Sequence, residues 1–81
     1  MSRGGRPFTV TCVMLSGREV KLIVKKHHKI GWLIEQLAWA LNVPEHRLVL
    51  VQDGELMNVD RELRSYMIYD DTMVQLVIRS L

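Results

Sequence analysis

The sequence predicts an α+β fold, in which one helix packs across one mixed sheet of four to five strands. Three observations lead to this class. Apolar and polar residues alternate near the start of the chain, apolar residues then recur once at helical spacing, and β-rich runs separated by turn residues fill the second half. The 81 residues can bury only one small core, so a two-domain arrangement is excluded.

The chain is expected to open with a flexible leader and a β-hairpin. Residues 1–7 are rich in Gly and Arg and end in Pro, so the domain is predicted to span residues 8–79. Along residues 8–14, and again along residues 19–24, every second residue is apolar and lies on one face of a predicted strand, while the residues between them lie on the other face. The turn Leu15-Ser16-Gly17-Arg18 separates the two runs, which predicts an antiparallel pair of strands.

A single helix is predicted after the hairpin. Its apolar residues recur at spacings of 3, 4, 7, 8 and 11, the pattern of a helix that covers one face of a sheet. Asn42 and Pro44 are expected to end it. The stripe consists of Ile30, Leu33, Ile34, Leu37, Ala38 and Leu41.

The second half of the chain supplies the remaining strands. Residues 47–51 predict a third strand, Asp53-Gly54 favours a tight turn, and residues 55–57 predict a short fourth strand. Residues 58–71 are mostly polar and predict a loop or a short helical turn. A β-rich run over residues 72–79 predicts the last strand.

The composition excludes several classes of protein. A quarter of the residues are charged and the net charge is only +2, which is typical of a folded domain and unlike a dedicated nucleic-acid binder. No apolar run is long enough to span a membrane or to act as a signal peptide. The lone cysteine, Cys12, has no partner for an internal disulfide. We therefore expect a cytoplasmic or nuclear location.

Several segments in the predicted order of elements match one known family. They are the turn Leu15-Ser16-Gly17-Arg18, Val43-Pro44 before Arg47-Leu48-Val49, Leu63-Arg64-Ser65-Tyr66-Met67-Ile68, and Leu76-Val77-Ile78-Arg79. In these segments the sequence resembles ubiquitin-like proteins from Phe8 to Arg79. The resemblance implies a β-grasp domain whose sheet face away from the helix binds protein partners, among them ubiquitin receptors or other proteins of the ubiquitin pathway. It also implies that Tyr66 is a buried structural residue whose hydroxyl bonds a nearby backbone group.

The sequence also departs from ubiquitin. It ends Arg79-Ser80-Leu81, without the di-glycine that conjugation requires, so as it stands the chain is not expected to be a conjugated modifier. The hairpin after the third strand is longer than in ubiquitin. In this respect the chain is similar to the first domain of the interferon-induced modifier built of two ubiquitin-like domains.

A partner-binding patch is predicted on the uncovered sheet face. Strand alternation puts the odd-numbered residues of the third and last strands on this face, where they form an apolar surface. By resemblance, Leu15, Val49 and Val77 match the family's hydrophobic recognition triad, Gln75 takes the place of a histidine, and Arg47 lies on the rim. The alternative is that these are ordinary surface residues of strands, where valine is common.

Two tryptophans predict a second candidate surface. Trp32 and Trp39 lie seven residues apart on the helix, opposite its apolar stripe, and tryptophan is enriched among the residues that dominate interfaces. The alternative is that neighbouring loops or the leader cover one or both rings.

A basic cluster precedes the helix: Lys25, Lys26, His27, His28 and Lys29. Cations oppose the dipole of a helix start, and such a break of local rules sometimes marks binding of an acidic partner, a phosphate or a nucleic acid. A solvated basic loop is the simpler interpretation. The histidines lack the spacing of a metal site, so we predict no metal and no cofactor.

Three hypotheses of function follow. The first is a non-catalytic protein-interaction module or adaptor domain, which we expect to be the N-terminal domain of a larger protein. The second is one half of a tandem or processed ubiquitin-like modifier. The third is a basic surface over residues 18–29 that binds nucleic acid or acidic lipid. We predict no enzymatic activity, because no paired carboxylates, phosphate loop or catalytic triad are present in the sequence.

Overall fold

The first two strands form the predicted hairpin. A computed structural model describes residues 6–80, so residues 1–5 of the predicted leader lie outside the described range. Strand β1 (Phe8–Met14) pairs antiparallel with β2 (Glu19–Val24), with Cys12 opposite Val20. Gly17 has φ 92° in the connecting turn, a conformation that favours glycine.

Helix α1 (Ile30–Leu41) follows and ends as predicted. Asn42 takes the left-handed conformation with φ 56°, and the N–H of Val43 donates to the carbonyl of Ala38 at 3.1 Å. The helix start has no side-chain cap. Instead, the N–H groups of Ile30 and Gly31 donate to the carbonyls of Arg61 and Val59, both at 2.9 Å. Backbone from the later loop therefore satisfies donors that a capping side chain usually takes.

The remaining elements complete a five-stranded mixed sheet. They are the 3-10 turn Glu45–Arg47, β3 (Leu48–Gln52), β4 (Glu55–Leu56), the 3-10 turn Leu63–Tyr66 and β5 (Thr72–Ile78). The strand order is β2-β1-β5-β3-β4, with β1 and β5 parallel and the other neighbours antiparallel. The α+β β-grasp prediction is confirmed.

Four strand boundaries differ from the prediction, each by one residue. Strand β3 runs on to Gln52 and does not end at Val51, and β4 ends at Leu56, before Met57. Arg47 was expected to begin the third strand, but it closes the 3-10 turn, where its N–H donates to the carbonyl of Pro44 at 3.1 Å. The last strand ends at Ile78 and not at Arg79. The N–H of Arg79 still donates to the carbonyl of Arg47 at 2.6 Å, so the two strands stay joined beyond their regular part.

The core lies between the helix and one face of the sheet. The helix contributes residues that are almost fully buried, and β1, β3 and β5 contribute their alternate residues. The largest fully buried side chains include Ile30, Leu33, Leu37, Leu50, Leu63, Ile68 and Leu76. We call this covered side of the sheet the inner face and the opposite side the outer face.

Candidate functional site

The outer face carries a row of residues that crosses four strands. Val13 of β1 is the register partner of Gln75 on β5, Gln75 is the partner of Val51 on β3, and Val51 is the partner of Leu56 on β4. Partners in adjacent strands project to the same face, and in the antiparallel pairs their Cβ atoms are about 4.5–5.5 Å apart. This arrangement makes one continuous surface from separate segments of the chain.

The predicted recognition patch lies beside this row. Val49 of β3 is the register partner of Val77 on β5, and both are half-buried. Leu15, in the turn that follows β1, is 76% exposed, and Gln75 is exposed as well. Alternation thus places Val49, Gln75 and Val77 together on the outer face, as predicted. Whether a partner uses these residues stays a prediction.

Arg47 is held at the edge of this patch. Its Nε donates to the carbonyl of Arg79 at 2.9 Å, and its carbonyl accepts from the N–H of the same residue. These bonds hold the Arg47 side chain against the backbone of Arg79, directly before β3 begins. Arg47 is two residues from Val49 of the pair Val49–Val77. Its position fits a basic rim beside an apolar centre.

Sequence reasoning did not assign three apolar residues to the site. Leu56 is 63% exposed and Met73 is 57% exposed, and Val51 connects Leu56 to the row. Alternation along the third and last strands predicts that Val51 and Met73 lie on the outer face, but neither was predicted to bind a partner. Strand β4 has only two residues and shows no alternation, so the sequence does not assign Leu56 to either face. The dipeptide Asp53-Gly54 is the signal that could have assigned Leu56 to the outer face, because a two-residue turn fixes the register of the hairpin.

The two tryptophans lie in different environments. Trp39 is 87% exposed, the highest exposure among the large apolar side chains of the described residues. Trp32 is half-buried against the core, and the imidazole of His28 stacks on its indole with ring centroids 3.8 Å apart. Of the two rings, only Trp39 is presented openly to solvent.

The basic cluster is built into the backbone network. The N–H of Lys25 donates to Nδ1 of His28 at 3.0 Å, and the N–H of Leu63 donates to the carbonyl of His28 at 2.8 Å. The first helical N–H groups, which would otherwise bind an anion, already donate to the loop carbonyls. The cluster therefore presents exposed cationic side chains without the backbone donors of an anion site.

Other candidate groups have structural roles. Burial raises the pKa of the Cys12 thiol to about 12, which makes it a weak nucleophile. The hydroxyl of Tyr66 accepts from the N–H of Asn58 at 2.6 Å, in agreement with the predicted bond to backbone, but the residue is half-buried and not buried as predicted. Between residues 6 and 80, no group of three His, Cys, Asp or Glu side chains is arranged to hold a metal ion. No helix in that range is long and apolar enough to cross a membrane.

The arrangement on the outer face is suited to recognition by contact. It offers a half-buried apolar centre, exposed apolar ends and a basic rim on a rigid sheet. Such a surface is what a partner of similar size and complementary shape can bury.

Comparisons with known proteins agree with the observed fold. The family model described as "Ubiquitin family" matches residues 8–81. The crystal structure of the UBL domain of Plasmodium falciparum Dsk2 superimposes with a TM-score of 0.83 at 16% sequence identity, covering 90% of this chain and 99% of that one. At this identity the likeness concerns the fold. No curated protein sequence matches the chain.

Proposed function

The chain belongs to the ubiquitin family, and on this premise we propose that it is a non-catalytic protein-interaction module that binds partners through its outer face. The observation that carries the proposal is the pairing of Val49 with Val77 on the uncovered side of the sheet, with the exposed Leu15 in the adjoining turn. Family membership supports partners from the ubiquitin pathway, including ubiquitin receptors.

The chemistry of the patch sets the expected affinity. Burying one valine or leucine side chain contributes at most ~1.5–3 kcal/mol before the cost of association. A patch with three such anchors therefore supports dissociation constants on the order of micromolar. Arg47, at the rim, would favour a partner with an acidic group beside its apolar residues and would raise the rate of association.

We further propose that the module works in the cytoplasm or nucleus. The chain has one cysteine, and that thiol is buried, which fits a domain stabilised by its core without disulfides. Fluorescence microscopy of the tagged full-length protein tests this location.

The experiment that tests the proposed function compares three forms of the domain as bait in cell extract. They are the wild type, Val49→Arg and the matched control Ala40→Arg, whose side chain is exposed on α1, on the other side of the sheet. Captured proteins are identified by mass spectrometry, purified, and titrated against each form by calorimetry. Circular dichroism confirms that both variants are folded.

We expect Val49→Arg to weaken binding at least tenfold, because a guanidinium in the apolar centre cannot be buried without a partner charge. The control should bind like the wild type. Equal binding by Val49→Arg and the wild type would remove the outer face from the proposal.

A further inference from the structure

The exposed side of α1 carries a stripe that has a single charge. Glu35, Ala38, Trp39 and Asn42 are spaced by 3, 1 and 3 residues, so they lie on one side of the helix. Ala38, at the edge of the apolar stripe, is half-buried, and the other three are exposed. Glu35 is the only ionisable residue in the twelve-residue helix, although a quarter of the whole chain is charged. A solvent-facing helix surface ordinarily carries charges, whereas depletion of charge and enrichment in tryptophan characterise the centre of protein interfaces. We call these four residues the α1 stripe.

The α1 stripe contains both a projection and a hollow. The indole of Trp39 projects into solvent with 87% of its surface exposed. Ala38, Trp39 and Asn42 line a shallow and mostly apolar hollow beside it. Because Ala38 has only a methyl group, the hollow is open to an incoming ring. A surface that holds a projection next to a hollow can be complementary to itself.

We propose that this stripe binds the same stripe of a second copy of the chain, with the two helices antiparallel across a two-fold axis between Ala38 and Trp39. This axis places Trp39 of each copy opposite Ala38 of the other, so each indole enters the hollow of the other copy. It also places Asn42 of each copy opposite Glu35 of the other. An isologous contact of this kind closes after two copies.

The charges of the α1 stripe are compatible with this pairing. Each Glu35 carboxylate faces the Asn42 side-chain amide of the other copy, which can donate a hydrogen bond to it. Antiparallel pairing keeps the two carboxylates apart, on either side of the axis. Asn42 is itself held in the left-handed conformation at the helix end, so its position relative to the stripe is fixed.

The small area predicts a weak and reversible dimer. A buried tryptophan contributes about 150–250 Å², so two such rings with their immediate neighbours bury less than the ~1,200 Å² of standard interfaces. We expect a dissociation constant on the order of 0.1–1 mM. The contact lies on the helix side of the domain, opposite the outer face, so the dimer would present two outer faces and bind a repeated partner with avidity.

The first experiment measures association of the full chain by sedimentation equilibrium, from about 20 µM to about 2 mM to span the expected constant. The wild type should move toward the dimer mass as its concentration rises, and Trp39→Ala should lower the association constant at least tenfold. Ile23→Ala, which removes an exposed side chain from another surface, is the control and should associate like the wild type. A monomeric wild type throughout this range, or unchanged association of Trp39→Ala, would overturn the proposal.

A charge exchange tests the predicted register. Asn42→Asp puts a carboxylate opposite Glu35 of the other copy and should weaken association several-fold, while aspartate is tolerated in the left-handed conformation. Adding Glu35→Lys to that variant makes the facing pair opposite in charge and should restore association. If the double variant stays as weak as Asn42→Asp, the antiparallel register is wrong.

The two proposals can fail separately. Val49→Arg should leave sedimentation unchanged, because Val49 lies on the outer face, and Trp39→Ala should leave the affinity for outer-face partners unchanged per domain. Association lost with Val49→Arg and kept with Trp39→Ala would mean that copies meet through the sheet and not through the helix.

Discussion

The imidazole of His28 lies on the indole of Trp32, with ring centroids 3.8 Å apart and planes inclined by 23°. Nδ1 of the same imidazole accepts a hydrogen bond from the N–H of Lys25. A protonated Nδ1 cannot accept this bond, so the geometry fits the neutral ring. Burial, and then the positive charges of His27 and Lys25, lower the pKa of His28 below its ordinary value of 6.5.

This arrangement predicts that stability falls in mild acid. Below a pH of about 6.5 the unfolded chain binds more protons than the folded chain, because the folded pKa is the lower one. The contribution of His28 is therefore complete above that pH and is lost as the pH falls toward the folded pKa. Urea unfolding at about pH 7.5 and about pH 5.5 measures the difference.

A variant separates His28 from other groups that titrate. His28→Phe keeps a ring on Trp32 but cannot bind a proton, so its stability should depend less on pH than that of the wild type. In a Trp39→Phe background the emission of Trp32 should follow the protonation of His28. An unchanged pH dependence in His28→Phe would contradict the assignment.

The bond between Tyr66 and the backbone of Asn58 predicts a measurable loss in Tyr66→Phe. The variant removes the acceptor of a 2.6 Å bond and keeps the ring, over which the Arg61 guanidinium lies at 4.4 Å. We expect the free energy of unfolding to fall by about 1 kcal/mol in urea titrations. Tyr69→Phe is the matched control, because the hydroxyl of Tyr69 makes a single hydrogen bond among the described residues, to the sulfur of Met67 at 3.9 Å. Equal losses in the two variants would show that the Tyr66 bond adds nothing.

Two leucines of the β3–β4 hairpin should respond differently to truncation. Leu50 is 1% exposed and packs in the core, so Leu50→Ala should lower the free energy of unfolding by about 2–5 kcal/mol. Leu56 is 63% exposed, so Leu56→Ala should change it by less than about 0.5 kcal/mol. Thermal unfolding compares both with the wild type. A large loss from Leu56→Ala would mean that the outer face is covered by something in solution.

Cys12 should react only when the domain unfolds. With its pKa raised to about 12, the thiol is almost entirely protonated at pH 8, and the side chain is fully buried. Alkylation by iodoacetamide, followed by mass spectrometry, should be slow in buffer and rapid in concentrated urea. Rapid labelling of the native domain would show that β1 opens frequently.

The regular elements could be predicted because the spacing of apolar residues within one short segment indicates each of them. Alternation from Phe8 to Met14 needs only the pleat of a strand, and the stripe from Ile30 to Leu41 needs only the helical period. Val49 and Val77 could likewise be assigned to one face before their pairing was known. The start of β3 could not, because the N–H of Arg47 bonds the carbonyl of Pro44, a local turn that leaves no periodic signal.

The environments of the tryptophans depend on contacts between distant segments. Helical spacing treats Trp32 and Trp39 alike, but only Trp32 lies beside the turn that positions His28. That turn is fixed by the later loop, through bonds such as that from the N–H of Leu63 to the carbonyl of His28. A pattern within one helix contains no information about such a neighbour. The exposure of Trp39 therefore emerged only from the three-dimensional arrangement.

The strand that is synthesised last among the described elements occupies the middle of the sheet. Strand β5 lies between β1 and β3, so a ribosome that has released residues 8–71 has released a hairpin, a helix and a third strand with no central partner. The facing edges of β1 and β3 stay open at that stage, and open edges invite pairing with other chains. Completion of the sheet must then wait for residues 72–78, so folding depends on contacts between segments that are distant in the sequence. A nascent chain arrested before Thr72 should be a substrate for chaperones.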